Sequence, residues 1–452
     1  MGVNSSRPVL FSQSMRLTSP LRVAADVSRL LRHPSASREQ IVAFQEQRLR
    51  ELVRHAYDNV PYYRRLFDEA GVKPDDIRGL ADLKRIPITT KATLQSLGGS
   101  EMLARGFTKS DLIARETNGS TGIPVRVYRK RVEQLIPTLL LWRVRRDFGL
   151  RRGLRVTFLA KYGPNLGPKS LRRRIRTRLI RALGVQTWTR VESTLPMHEA
   201  AALVRDSRPD VIGGYAGVLS RLAREVGDDQ TDLRPRLLLS VSEVLTPAMR
   251  ARIEKVFRAP VRDTYACYEL GMIAWECPQG GPYHVCDDNV IIEIEGGKDK
   301  DSGELIGTNL HFTAMPIIRY QLGDVVTRGP ERCVCGSPFT TLSAIQGRMN
   351  DYFPLPDGSF LHPYRIGTAV WSASFAWMHQ YQVIQERRDR VLMRIVAGRD
   401  PTPEEIIALE NAVTAVLGKD VEFVTELVDD IRDEVNGKFR IYRSLVESDY
   451  GL

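Results

Sequence analysis

The sequence predicts an α/β protein with a large N-terminal domain, built on a mainly parallel sheet, and a small C-terminal α+β domain. Between residues 116 and 330, short β-branched runs such as RVTFLA, DVIGGY and LLLSVS alternate with amphipathic stretches of helical spacing, which is typical of parallel βαβ units. After residue 348 the runs YQVIQ, RVLMRIVAG and VEFVTEL surround one helical stretch at 403–417. We therefore expect the domains to cover residues 1–347 and 348–452.

The segment before residue 100 predicts helices rather than strands. Residues 38–56 carry apolar side chains at helical intervals. The next run, HAYDNVPYYRRLFDEAG, is interrupted by Pro61 and then resumes, because proline is tolerated in the first turn of a helix but not inside one. A proline–threonine turn in LADLKRIPITTKATL precedes a capped segment. A helical region at about 38–100 thus leads into the α/β domain.

The composition excludes several classes of protein. With 452 residues, of which 42% are hydrophobic, the chain can bury substantial cores and is not a disordered protein. No run of eighteen apolar residues occurs, and the N-terminus lacks the pattern of a secretory signal. Five cysteines are too few, and an odd number, for a disulfide framework. We therefore predict a cytoplasmic protein that contacts no membrane.

The positive charge of the chain is concentrated in one stretch. The formal net charge is +12, and residues 143–181 supply much of the excess. Within 170–183 the apolar residues recur at helical intervals, which favours a solvated face of an amphipathic helix. Contact with a nucleotide or an acidic substrate is an alternative. No nucleic-acid-binding motif accompanies the charge, so we expect no nucleic-acid partner.

A loop rich in glycine and hydroxyl residues precedes a short strand in ETNGSTGIPVRVYRK, residues 116–130. Its backbone N–H groups and hydroxyls are accessible, as a phosphate chain requires. The same composition also occurs in plain turns, and Ile123 stands where a Walker loop would have its lysine. The candidate phosphate-binding residues are Thr117, Asn118, Gly119, Ser120, Thr121 and Gly122.

Four further motifs follow the loop in a fixed order: DTYACYELG at 263–271, IIRYQLGD at 317–324, QGRMND at 346–351 and NGKFR at 436–440. Together with the loop and the N-terminal run from 55 onward, they resemble the adenylate-forming superfamily, in particular its phenylacetate–CoA ligase and CapK branch. The resemblance extends from about residue 38 to 446. It implies a large adenylate-forming domain followed by a mobile C-terminal lid.

The resemblance also implies an activity and an ATP site. Such enzymes convert a carboxylic acid and Mg-ATP to an acyl-adenylate and pyrophosphate, and then pass the acyl group to a thiol, which we expect to be coenzyme A. The loop at 117–124 would wrap the ATP phosphates. Tyr265 would lie beside the adenine, Asp324 would accept hydrogen bonds from both ribose hydroxyls, and Arg348 would lie near the ribose and phosphate.

The same resemblance assigns the catalytic and hinge residues. Glu269 matches the glutamate associated with Mg²⁺, and Lys438 matches the mobile lysine that bridges the substrate carboxylate and the α-phosphate. A cation suits this position because one anion must attack another. Asn350 and Asp351 fall at the hinge, about which the lid would rotate between the two half-reactions.

The acid is expected to be aromatic or otherwise apolar, by analogy with the family alone. The predicted acyl pocket draws on the segments 212–215, 240–243 and 265–268, and its candidate residues are Tyr215, Ser242, Glu243 and Tyr268. The chain departs from the family pattern at Ile123, Ala266, Tyr268 and Leu322. Of these, Tyr268 and Leu322 border the acyl and adenine pockets. We therefore expect the departures to affect the choice of substrate more than the adenylation step.

Cysteine and histidine form two pairs that suit zinc. Cys277 and His284 are seven residues apart, and Cys333 and Cys335 belong to a C-x-C-G sequence. Three thiolates and an imidazole can fill a closed tetrahedral site, which would be structural, and similar elements occur in part of the resembled branch. The alternatives are buried free cysteines, or Cys286 in place of His284.

Two other functions stay open at this point. An adenylate could pass to an amine or a carrier protein, as in secondary metabolism or polysaccharide modification. A non-catalytic protein that uses its basic stretch to bind an acidic polymer belongs to a different class. A homodimer is also left open by the sequence.

Overall fold

The computed structural model describes residues 28–30, 32–97, 101–116, 125–150, 153–161, 187–227, 232–296, 301–348, 353–361, 364–372, 377–431 and 440–446. Several predicted features therefore lie outside the described residues: the loop at 117–124, the helix at 170–183, Asn350, Asp351 and Lys438. Among the helices of the described ranges, none combines the length and apolar character needed to cross a lipid bilayer.

Several helices begin where the sequence offers a capping side chain or a proline. Ser37 and Gln40 form a capping box at the start of the first helix, and Pro61 opens the second, where its missing N–H costs nothing. The helices are α1 (Arg38–Asn59), α2 (Pro61–Glu69), α3 (Lys91–Ser96), α4 (Leu135–Asp147), α5 (Met197–Ser207), α6 (Ala216–Val226), α7 (Pro247–Phe257), α8 (Tyr364–Ser372) and α9 (Pro403–Leu417). Short 3-10 turns lie at His33–Ser35, Pro74–Asp76, Leu80–Arg85, Lys109–Asp111 and Val132–Gln134.

Within the described ranges, the strands form one large sheet and three small ones. Those of the N-terminal part are β1 (Ile113–Glu116), β2 (Arg126–Arg129), β3 (Arg155–Ala160), β4 (Thr187–Glu192), β5 (Val211–Tyr215), β6 (Leu237–Val241), β7 (Val261–Cys267), β8 (Gly271–Glu276), β9 (Tyr283–Val285), β10 (Val290–Glu295), β11 (Ser302–Asn309), β12 (Tyr320–Arg328) and β13 (Thr341–Arg348). The remaining strands are β14 (Phe353–Pro354), β15 (Phe360–Leu361), β16 (Met378–Arg387), β17 (Arg390–Ala397), β18 (Glu422–Leu427) and β19 (Tyr442–Ser444).

The large sheet has a parallel half and an antiparallel half. In the described residues its order is β10-β11-β12-β13-β9-β8-β7-β6-β5-β3-β4. Strands β3 to β7 pair in parallel, with α5, α6 and α7 between them, whereas β7 to β13 pair antiparallel. The parallel half confirms the α/β prediction. The second half is antiparallel because its strands follow one another through short connections that leave no room for a crossover helix.

The first helix packs against the antiparallel half, and its polar contacts join residues about 250 positions apart. Arg48 donates to the carbonyl of Leu310 at 3.1 Å, and the His55 ring lies 2.8 Å from the carbonyl of Thr313. Its apolar side chains, Ile41 among them, are fully buried in the same core as the sheet. The helical N-terminal region is therefore part of the large domain.

A buried ionic group joins three distant segments. Both terminal nitrogens of Arg143 donate to the carboxylate of Asp288, at 2.5 and 3.1 Å, and the ring of His33 lies 3.0 Å from the same carboxylate. Burial tends to raise the pKa of Asp288, but the effect of Arg143 and His33 is larger and lowers this pKa to about 2. Arg143, the first residue of the basic stretch, is thus buried in an ion pair, while the solvated face predicted at 170–183 lies outside the described residues.

The C-terminal part forms a separate core. The sheet β18-β17-β16-β19 has one antiparallel and two parallel pairings, and α9 packs on it. The hairpin β14–β15 belongs to this core through Phe353 and Leu361. Gln385, which is fully buried, donates to the carbonyl of Pro354 at 2.8 Å and accepts from the hydroxyl of Ser444. The hairpin is therefore tied to the small sheet.

Candidate active site and metal-binding cluster

The predicted acyl-pocket residues lie at the carboxyl ends of the parallel strands. Tyr215 ends β5, Ser242 and Glu243 follow β6, and Tyr268 follows β7. This is the edge at which open α/β sheets bind their ligands. Burial raises the pKa of Tyr215, and Tyr268 and Glu243 add to that shift, so the three side chains lie near one another.

Two of these residues have defined structural roles at this edge. The carboxylate of Glu243 accepts a hydrogen bond of 2.8 Å from the backbone N–H of Gly217 at the start of α6, where a negative charge is favoured by the helix dipole. Ser242 has a φ of 65°, so the chain turns sharply after β6. Tyr268 is 49% exposed, which leaves an aromatic surface open to a ligand.

Tyr265 and Asp324, which the sequence assigns to the nucleotide, are brought together. The hydroxyl of Tyr265 donates to the Asp324 carboxylate at 2.5 Å. Asp324 lies on β12 directly opposite Arg348 on β13 in the strand register. The structure thus collects three predicted nucleotide-site residues from segments that are far apart in sequence. Their roles toward ATP stay predictions.

Glu269 sits in a turn, residues 268–270, that connects β7 with β8. Its side chain is 8% exposed and accepts a hydrogen bond of 3.3 Å from the hydroxyl of Tyr320. The carbonyl of Leu270 accepts from the amides of Asn289 and Asn309, at 3.1 and 2.7 Å. A buried carboxylate held in this way can offer the hard oxygen ligand that Mg²⁺ prefers.

The sequence reasoning missed two residues beside Glu269. Tyr320 follows Arg319 in the IIRYQLGD motif, and its hydroxyl reaches Glu269 across 51 positions. Arg129 ends β2 and donates to the carbonyl of Tyr268. Both contacts depend on tertiary structure. Within β2, Arg129 is buried together with Val127 and Tyr128, whereas Arg126, the other arginine of the strand, is exposed.

The predicted zinc residues converge. In the described residues, the ligand atoms of Cys277, His284, Cys333 and Cys335 all lie within 4.8 Å of one another. The sulfurs of Cys277 and Cys333 are 3.7 Å apart, and the sulfur of Cys335 lies 3.4 Å from Nε2 of His284. Sulfur ligands about 2.3 Å from a tetrahedral ion lie about 3.8 Å from each other. The four side chains therefore fit a zinc ion.

Neighbouring groups set the orientation and protonation of this cluster. The ring of Trp275 meets that of His284 edge-on at 5.4 Å. Burial lowers the pKa of His284 to about 4 and raises the pKa of Cys277 to about 12. Cys286, the alternative ligand, lies outside the group of four; it is buried near Arg143. The geometry therefore favours His284 over Cys286 as the fourth ligand.

Comparison with known proteins identifies the relatives of the chain. The family model for the CapK C-terminal domain matches residues 354–444. A phenylacetate–coenzyme A ligase of Thermus thermophilus is 29% identical over 369 residues, which are 77% of this chain and 79% of that protein. The corresponding ligase of Escherichia coli is 31% identical over 336 residues, or 70% of this chain and 73% of the relative.

A solved structure shares the fold. A 2-hydroxyisobutyryl-CoA ligase, in the postadenylation state with its acyl-AMP, superposes with a TM-score of 0.75 at 19% identity and covers 92% of this chain and 91% of its own. Because its C-terminal part matches the CapK family model and it is 31% identical to the Escherichia coli ligase, the chain belongs to the phenylacetate–CoA ligase and CapK branch of the adenylate-forming superfamily.

Proposed function

We propose that this protein activates an aromatic or otherwise apolar carboxylic acid and transfers its acyl group to coenzyme A. As a member of its family it is an AMP-forming acid–CoA ligase, which uses ATP and forms an acyl-adenylate. The observation that carries the proposal is the convergence of Tyr265, Asp324 and Glu269 beside the exposed aromatic side chain of Tyr268. These residues, predicted for the nucleotide and for the acyl group, all lie on or directly after β7 and on β12.

The described residues suit the first half-reaction. Asp324, an acceptor-only side chain when ionised, can receive the ribose hydroxyls, and the hydrogen bond from Tyr265 fixes its orientation. Glu269 would hold Mg²⁺, which supplies positive charge to the phosphates when bound. Lys438 is expected to lie between the attacking carboxylate and the α-phosphate and to offset the repulsion of the two anions.

A rotation of the C-terminal part would separate the two half-reactions. The packing of β14–β15 into the C-terminal core supports a moving unit that begins at about residue 353. The predicted hinge residues Asn350 and Asp351 directly precede it in sequence. Lys438 would leave the site with this unit and give the thiol of coenzyme A access to the adenylate.

We also propose that Cys277, His284, Cys333 and Cys335 bind a structural zinc ion. Three sulfurs and one imidazole nitrogen match a closed tetrahedral zinc site in kind and in spacing. Because all four positions are filled by protein, the ion would have no open coordination site for a substrate. It would fasten the turn at 277–282 to the 333–336 segment.

The test of the proposed function is acid-dependent exchange of pyrophosphate into ATP, measured over aryl, fatty and amino acids. We expect exchange with aryl acids, and its loss by about 10³-fold in Lys438→Ala, because a transition-state charge contact is worth several kcal/mol. Lys419→Ala, an exposed lysine of the same domain, serves as the control. Exchange that is independent of the acid, or unchanged in Lys438→Ala, would contradict the proposal.

The acceptor is tested separately. Coenzyme A or hydroxylamine is offered to the enzyme with ATP and the acid, and the product is identified. A thioester that forms faster than the hydroxamate supports coenzyme A as the acceptor. The amine, carrier-protein and homodimer hypotheses stay predictions.

A further inference from the structure

Arg129 is a buried arginine with an unusual set of partners. Its residue is 4% exposed, and among the described residues it has no carboxylate within ion-pair distance. A terminal nitrogen donates to the carbonyl of Tyr268, while Nε has no hydrogen-bond partner there. A buried guanidinium that lacks an ion pair is costly, so such a residue requires an explanation.

The guanidinium is held in place by aromatic packing. Its central carbon lies 3.8 Å from the ring centroid of Phe312, which is fully buried. Gly271 packs on the same ring: its φ is +78°, and a Cβ there would lie 3.5 Å from Phe312. Phe312 thus contacts both Arg129 and the residue at which the turn 268–270 ends. A lysine would keep the positive charge but not the planar stacking of arginine on this ring.

Two carboxylates, Glu133 and Glu269, lie among the charged groups around Arg129. Burial lowers the pKa of Arg129 to about 10 and Arg115 adds to this shift, whereas the two carboxylates counteract it. Glu133 is already engaged by the backbone N–H of Thr313 at 2.8 Å and by Lys130 at 3.2 Å. Glu269 and any anion bound beside it are therefore the charges that Arg129 is placed to balance.

We propose that Arg129 is a positioning residue for adenylation. It fixes the turn 268–270 so that Glu269 faces the metal-bearing triphosphate, and its own positive charge lies beside that turn. This inference rests on the proposed function, because it assumes that Glu269 meets Mg-ATP. Arg129 also connects two elements that are far apart in sequence, since it ends β2 and contacts the turn after β7. None of the predicted site residues supplies this connection.

The first test is calorimetric binding of Mg-ATP without any acid. We expect Arg129→Met to raise the Kd for Mg-ATP about tenfold, since a buried hydrogen bond from a charged group is lost together with the charge. Arg129→Lys, which keeps the charge, should raise it less than threefold. Binding of AMP without Mg²⁺ should change little in either variant, because AMP has no β- or γ-phosphate. Arg131→Met, an exposed arginine two residues away, is the matched control.

The second test compares the half-reactions. In Arg129→Met we expect pyrophosphate exchange to fall about 30-fold, whereas thioester formation from a supplied acyl-adenylate should fall less than threefold. Equal losses in AMP binding and both half-reactions would show a merely structural role and overturn the inference. If Arg129→Met bound Mg-ATP as tightly as the wild type does, the inference would be overturned as well. If the wild type itself binds no Mg-ATP, the proposed function fails and the inference fails with it.

Discussion

Asp263 is a buried carboxyl two residues before Tyr265 on β7. It accepts a hydrogen bond of 2.8 Å from the hydroxyl of Tyr283, and burial raises its pKa to about 7. A carboxyl with a higher pKa in the folded than in the unfolded state binds its proton more tightly when folded. Its contribution to stability is therefore present below pH 4 and is lost as the pH rises to 7.

We expect Asp263→Asn to remove this pH dependence. In the wild type, Asp263 should lower the free energy of unfolding by roughly 1 kcal/mol per pH unit between pH 5 and 7. In the variant, the free energy of unfolding should change less with pH. Urea unfolding at several pH values measures the slope. Asp420→Asn, an exposed aspartate, should leave the slope unchanged. The same slope in Asp263→Asn would contradict the assignment.

The candidate zinc ligands lie around three strands of the antiparallel half. His284 is on β9, where it pairs with Trp275 on β8 and with Thr341 on β13, so the proposed ion would fasten the loops at 277–282 and 333–336 to these strands. We expect one zinc per chain, and its loss in Cys333→Ser. The lost binding should destabilise the fold by about 4 kcal/mol if free zinc exceeds the Kd a thousandfold, while pyrophosphate exchange at 25 °C persists, because the ion contacts no substrate.

Metal content and thermal unfolding, measured side by side, check this prediction. Cys286→Ser is the matched control: this cysteine is buried near the cluster but outside it, so zinc content should stay at one per chain even if stability falls. Zinc retained in Cys333→Ser would rule out the proposed ligand set.

Some elements were predictable from the sequence because their signals are local. The helix predicted at 403–417 was confirmed to the residue, since Thr402 and Glu405 form a capping box and Pro403 opens the helix. The antiparallel order of β8 to β13 was not predictable, because register depends on partners that a short apolar run does not specify. The candidate zinc ligands were recognisable from their chemistry, whereas the proposed role of Arg129 depends on a contact 139 positions away.

At the scale of the whole molecule, the C-terminal part contacts the large domain through α7. Arg252 donates to the carbonyl of Met378 at 3.1 Å, and the side chain of Met249 packs against the C-terminal core. On α6, Arg224 lies 3.9 Å from Asp430. These contacts stabilise the arrangement of the two parts seen here relative to any rotated one.

We expect Arg252→Ala to disfavour this arrangement. Loss of the hydrogen bond from Arg252 should cost about 1 kcal/mol, which would shift the equilibrium between the observed and a rotated arrangement of the two parts roughly fivefold. If the observed arrangement performs adenylation, exchange should fall with little change in thioester formation. Rates of the two half-reactions measure the effect, with Lys255→Ala on the same helix as control. A greater loss of thioester formation would assign the observed arrangement to the second step instead.

The contacts of α1 have a consequence for synthesis on the ribosome. Gln45, Arg48 and His55 find their partners 245 to 262 positions downstream. At a translation rate of 5–20 residues per second, those partners emerge on the order of 10–50 s after the helix does. Until then the apolar side of the helix lacks the part of its core that the antiparallel strands supply. The nascent chain is therefore most exposed to aggregation before the antiparallel strands are made, and slowing translation past residue 60 should lower the yield of folded protein.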